Sequence, residues 1–176
     1  YEYQGCTAVR YPRGVGTGAV IEQPAHTYKI GEAAVESILG SDAAPKKLAL
    51  LAFGTMVATA QQAAESLTHD DAVGCQVHVV NMRWVKPLDT ALLETLLAQG
   101  ITHIATLEEH MIMGGAGSAV NEYLLNESTA FKRNRPAICN IGIPDRFIAH
   151  GSQAEQMADC GLDIDGVVMQ LQQLLS

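Results

Sequence analysis

Apolar and polar positions alternate in blocks along most of the chain. LALLAFG (Leu48–Gly54) is continuously apolar, the pattern of a strand covered on both faces. MVATAQQAAESL follows with helix-forming Ala and Gln, and Thr55 stands where an N-cap belongs. VHVVNM (Val77–Met82) predicts a second strand. Asp89 then caps TALLETLLAQ, which Gly100 stops. HIATLEE (His103–Glu109) predicts a third strand, SAVNEYLLNES a helix, and AICNIGI (Ala137–Ile143) a fourth strand. Two short helices close the series, around Gln153–Asp159 and Asp163–Leu175. Ala33–Leu39 reads as strand or helix, and its place before the first buried strand favours an antiparallel edge strand. Strands separated by helices of this length make a parallel sheet with right-handed crossovers. The expected fold is a three-layer α/β/α sandwich with a mostly parallel sheet and one antiparallel edge strand.

The first part of the chain differs. CTAVRYPR reads as a short strand ended by Pro12. VGTGAVIEQPAHTYKIG is rich in Gly and Pro without periodicity, so a domain boundary is expected between about Gly14 and Tyr28. The chain starts on YEYQGCTAV, without an initiator Met or signal-peptide architecture, and reads as a fragment.

Composition narrows the function. The 176 residues are 48% hydrophobic and 17% charged, which describes a packed globule. A net charge of −8 disfavours nucleic acid as a partner. Its one basic cluster, Lys132, Arg133 and Arg135, is expected in a solvated loop. No apolar run has the length of a membrane span. Cys6, Cys75, Cys139 and Cys160 form no CxxC pair and read as reduced thiols of a cytoplasmic protein.

Candidate chemistry is sparse. GGAGSAV (Gly114–Val120) follows a strand and opens a helix, but Val120 stands where a dinucleotide loop needs Gly or Ala. A tight turn that lets helix and sheet pack closely is the better reading. Glu108, Glu109 and His110 lie at a strand's carboxyl end. Adjacent carboxylates on a strand point to opposite faces, so one is expected buried and paired and the other exposed. A structural or interface role is favoured over a catalytic one. Asp145, His150 and Ser152 lack the strand-to-helix elbow a serine nucleophile needs, and the histidines have no metal-ligand spacing. Arg10 and Arg13 flank Pro12 on a stiff segment, so their guanidinium groups diverge; one can lock into the fold while the other faces a cleft. For these and for Arg146, bidentate phosphate recognition competes with a plain salt bridge.

TAVRYPRG, LLAFGTMV, RWVKPLD, LEEHMIMGGAGSAVNE and IGIPDRFIAHG, in this order and spacing, resemble the 1-deoxy-D-xylulose-5-phosphate synthase family. VKPLD and the Glu-Glu before a Gly-rich turn recur in transketolases and in 2-oxoacid dehydrogenase beta subunits, whereas IPDRFI with the following HG discriminates. The stretch from Gln61 to Gln76 departs from the pattern as surface loops do.

The resemblance implies a larger thiamine-diphosphate enzyme that uses Mg²⁺ and condenses pyruvate with glyceraldehyde 3-phosphate. Within it, residues 1–14 end the pyrimidine-binding domain, 15–28 form a linker, and 29–176 form a transketolase-like C-terminal domain. The cofactor's Gly-Asp-Gly signature with a downstream Asn is absent; Ile164-Asp165-Gly166 is the nearest match. The chain alone is therefore expected to bind no cofactor or metal, to carry no catalytic residue and to be inactive. The family's substrate-phosphate contact falls on Arg13, with Arg10 and Tyr11 in support. The resemblance also implies a homodimer, to which Met111–Gly117 would contribute unless Met111 and Met113 simply fill the core. The alternatives are the assembly domain of a dehydrogenase beta subunit and a stand-alone α/β ligand-binding protein.

Overall fold

Leu48 to Ala52 are all buried, as a strand with helices on both sides requires. In the computed structural model, which describes residues 4–6, 27–69 and 74–176, they belong to the middle strand of a five-stranded sheet. The elements are β1 (Ala34–Leu39), β2 (Lys46–Ala52), α1 (Met56–His69), β3 (Cys75–Asn81), α2 (Thr90–Ala98), β4 (His103–Met111), α3 (Ala116–Asn126), α4 (Thr129–Asn134), β5 (Ala137–Ile143), α5 (Gln153–Asp159) and α6 (Ile164–Leu175). Strand order is β1-β3-β2-β4-β5. Only the β1–β3 pair is antiparallel, so the expected edge strand is confirmed. The expected sandwich is the observed one. Arg10, Arg13, the strand at CTAVRYPR and most of the proposed linker lie outside the described residues.

The sheet separates two apolar cores. Leu48, Leu50, Val77, Val79, Ala105 and Ile141 face one side, against α1 and α6. Ala49, Leu51, Val80 and Ile104 face the other, against α2 and α3. The period-two alternation of each buried strand thus feeds both layers.

Caps explain most boundaries. Asp89 Oδ1 accepts from the Leu92 amide (2.9 Å) and Oδ2 from Ala33 (2.8 Å), which ties the start of α2 to the chain before β1. Gly100, at φ +86°, ends α2 where expected. Three details differ from the sequence reading. Thr55 directs its hydroxyl to Glu109 Oε2 (2.7 Å). The helix expected from Ser118 to Ser128 starts at Ala116 and ends at Asn126, because Ser128 caps a further helix through Phe131 N. That helix, α4, carries Lys132 and Arg133, so the basic cluster is not a loop. Glu94 holds it in place by accepting from Tyr123 Oη (3.1 Å) and Ala130 N (3.4 Å). Hydrogen bonds from Ser128 and these neighbours keep the Glu94 carboxyl below its ordinary pKa.

His78 is a buried polar exception on β3, opposite Ile38 of β1 and Ala49 of β2. Its Nε2 lies 3.0 Å from Gln76 Oε1, an acceptor only, so Nε2 carries the proton. Nδ1 is left as a bare buried acceptor. Burial pushes this imidazole below its ordinary pKa, Lys47 pushes the same way, and Asp42 opposes them. The folded chain therefore binds fewer protons here than the unfolded chain. Its contribution is complete above about pH 6.5 and is lost as the pH falls below that value. His103 shifts in the same direction, through burial and then Lys46. Melting temperature should decline from about pH 7 to about pH 5.5, and His78→Leu should flatten but not abolish the slope. An unchanged slope in the variant would remove His78 from the explanation.

A candidate functional site at the carboxyl edge of the sheet

Loops from β2, β3, β4 and β5 gather at the carboxyl edge of the sheet, where open α/β proteins place their working groups. Glu108 is the most constrained residue there. It is 3% exposed, and its carboxylate accepts from the Ala116 amide (2.6 Å) and the Gly117 amide (2.8 Å). Gly115, the N-cap of α3, offers no side chain, so Glu108 supplies from β4 the acceptor the helix start lacks. The glycines now have a specific reason. A Cβ on Gly115 would meet Glu108 Oε2 and the Met111 carbonyl; one on Gly117 would meet Thr106 Oγ1 and Asn140 Nδ2. The Gly-rich turn is a seat for a carboxylate.

A polar layer continues this seat between α3 and the sheet. Asn140 Nδ2 donates to Thr106 Oγ1 (2.6 Å), its register partner across β4 and β5, and Asn121 Nδ2 donates to Asn140 Oδ1 (2.6 Å). Asn121 Oδ1 is buried without a partner. The sequence reading passed over this layer. Its signal was there: a Thr inside the buried run Ile104–Leu107 of β4 and an Asn in the otherwise apolar β5.

Glu109 points the other way, exposed, and takes the Thr55 hydroxyl. One carboxylate is thus buried and paired and its neighbour exposed, as expected. His110 is exposed, with Nδ1 3.3 Å from the Met111 carbonyl. Beside Glu109 opens a cavity of about 270 Å³, lined by Ile143, Ile148, Met157, Cys160 and Leu162.

The IPDRFIAHG loop is anchored from both ends. Arg146 Nη1 lies 2.8 Å from Asp159 Oδ2, and Nη2 donates to the Asp159 carbonyl (2.8 Å). This pairing raises the Arg146 pKa and lowers that of Asp159. Arg146 is therefore a brace, the salt-bridge reading of the two weighed. Ser152 caps α5 in a reciprocal box with Glu155, accepting from Glu155 N (3.3 Å) while its own amide donates to Glu155 Oε2 (2.8 Å). Its hydroxyl also donates to Glu155 Oε2 (2.7 Å), so Ser152 is no nucleophile paired to His150. Between these anchors Phe147 stands fully exposed, and Met113 (70%) and Val85 (49%) are exposed in part on neighbouring loops. Of the β3 loop, Arg83 adopts φ +53° with its guanidinium 4.2 Å from the Tyr28 ring centroid.

Among the described residues no group of His, Cys, Asp and Glu can hold a metal ion. The edge presents one committed carboxylate, one exposed carboxylate and a ring of exposed apolar side chains. Met113 belongs to this exposed ring, while Met111 is half-buried and pairs with Ile143.

A family description for the transketolase C-terminal domain matches residues 33–167. The chain belongs to the transketolase C-terminal domain family. Over its whole length it is 79% identical to 1-deoxy-D-xylulose-5-phosphate synthases of Psychrobacter arcticus and Psychrobacter cryohalolentis, of which it covers 26%. The corresponding enzyme of Pectobacterium atrosepticum is 45% identical over 98% of the chain and 25% of its own length. The chain thus spans about a quarter of the curated relatives it matches. Among solved structures, one titled a split gene transketolase, inactive beta4 tetramer, aligns with a TM-score of 0.64 and 26% identity, covering 89% of this chain and 46% of its own.

Proposed function

We propose that this chain is the C-terminal module of a 1-deoxy-D-xylulose-5-phosphate synthase, with 29–176 as its domain, 15–28 as the linker and 1–14 as the end of the pyrimidine-binding domain. The reading rests on one observation above others: 79% identity that runs the whole length of the chain. The longer enzyme joins pyruvate to glyceraldehyde 3-phosphate with loss of CO2. The resemblance assigns it thiamine diphosphate, Mg²⁺, a homodimeric state and a cytoplasmic location. Among the described residues no helix is long and apolar enough to cross a membrane.

The residues described here do not fit that cofactor. Asp165 and Gly166, the nearest sequence match to its diphosphate signature, form the first turn of α6. The Gly166 amide is already taken by Asp163 Oδ1 (3.0 Å), and a Cβ there would meet Gly161. The module's part is assembly, placing its carboxyl edge against the domains that hold the cofactor, and one substrate-phosphate contact through Arg13.

Two measurements test this. The full-length gene product should form 1-deoxy-D-xylulose 5-phosphate from pyruvate and glyceraldehyde 3-phosphate. The 176-residue chain should give no saturable heat with thiamine diphosphate and Mg²⁺. Micromolar binding by the isolated chain would overturn the division of labour.

A further inference from the structure

We propose that the cavity beside Glu109 is a binding site for a small alkylammonium ion, a primary amine on an aliphatic body of about five or six carbons. The site is separate from the Arg13 contact, and its test does not depend on the reaction proposed above.

The cavity opens from the core that α1 and α6 share. Leu162 belongs to that core, and Ile143, Met157 and Cys160 pack against it. Ile148, on the loop after β5, adds to the apolar wall. At about 270 Å³ the space is smaller than most pockets for drug-sized molecules. Met157 makes part of the wall adaptable, since its unbranched thioether fills irregular gaps. Such a lining suits a short aliphatic chain.

The polar part of the lining is one-sided. Glu109, Gln153 and Gln156 contribute to it, and no Lys, Arg or His does among the described residues. Strand alternation sends Glu108 toward α3 and Glu109 to this side of the sheet. Glu109 Oε2 accepts from the Thr55 hydroxyl (2.7 Å), while Oε1 has no donor among the described residues. Glu109 also forms no ion pair there, and Arg146 on the nearby loop is already paired with Asp159. Gln156 spends its Nε2 on the Ala149 carbonyl (3.0 Å), so its side-chain oxygen remains an acceptor.

An uncompensated carboxylate beside an amide oxygen selects for charge and for donors. A primary ammonium brings three N–H groups and a positive charge, and its charge-assisted bonds are the strong kind. An alcohol of the same length brings one donor and no charge. A carboxylic acid brings repulsion. The apolar wall then selects among cations, because a bare metal ion or ammonium leaves it wet while an alkyl stem covers it.

n-Pentylamine, cationic at about pH 7.5, is the probe, and the half-buried Cys160 on the cavity wall is the reporter. Saturating amine should slow alkylation of Cys160 by iodoacetamide at least about fivefold in the 176-residue chain, read by mass spectrometry of its peptide. Half-protection is expected near about 1 mM for a ligand of this size. Cys6, which is exposed, should react at an unchanged rate. 1-Pentanol should protect roughly tenfold less well, and Glu109→Gln should raise the half-protection concentration of the amine about tenfold. Thr55→Val removes the same hydrogen bond but keeps the charge, so it should stay within about threefold of the parent. The full-length protein should show the same protection. Absence of protection up to about 50 mM amine overturns the proposal. So does equal protection by pentanol, a Glu109→Gln variant that binds like the parent, or a Thr55→Val loss as large as that of Glu109→Gln. Protection confined to the isolated chain overturns it too.

Discussion

Replacing Glu108 by Ala should lower the melting temperature of this chain by about 10 °C. The substitution strands the Ala116 and Gly117 amides, both buried at the start of α3. Each unpaired buried donor costs roughly 1–3 kcal/mol, and the helix also loses the negative charge at its N-terminus. A total near 3 kcal/mol corresponds to about 10 °C in a domain of this size. Glu108→Gln should fall between parent and Ala, because the carboxamide keeps one acceptor and turns an N–H group toward a second N–H group. Scanning calorimetry of the three proteins decides the matter. If Ala melts with the parent, Glu108 is not the cap of α3, and its burial needs another explanation.

On the function proposed above, replacing Arg13 by Ala in the full-length protein should weaken use of glyceraldehyde 3-phosphate much more than use of pyruvate. A charge-assisted contact to phosphate contributes roughly 1.5–3 kcal/mol, so kcat/KM for the aldehyde should drop about ten- to a hundredfold. Arg13→Lys should recover part of the loss, since a single ammonium cannot reproduce the bidentate fork. Steady-state kinetics with each substrate varied in turn separates this from a folding defect, which would depress both values equally.

The layered architecture was legible because it depends on local pattern. LALLAFG and VHVVNM are apolar at both parities, and that property alone says both faces are covered. Asp89 and Gly100 were legible for a similar reason: a cap acts within a few residues of the helix it bounds. What the pattern hid was of two kinds. α4 has six residues, under two turns, and its charges drew it toward a loop reading; its stability comes from Glu94 on another helix. Thr55 was assigned to the nearest helix when its partner, Glu109, is 54 positions away. The seat of Glu108 combines both difficulties. Burial of one of two adjacent carboxylates follows from strand geometry, but which one depends on where α3 comes to rest. The polar Thr106–Asn140–Asn121 layer is likewise defined only once β4 and β5 lie side by side.

The two cores differ in when they can be completed during synthesis. α2, α3 and α4 cover their side of the sheet with chain that lies between its strands. On the other side, α1 packs against α6, which follows the last strand of the sheet. Leu162, Val167, Leu171 and Leu175 then supply one wall of that core. A nascent chain still lacking α6 leaves Ala105, Leu107 and Ile141, on the strands that helix packs against, uncovered and open to chaperones, however well the first side has formed. Final closure of this core therefore waits for α6, which is made after all five strands.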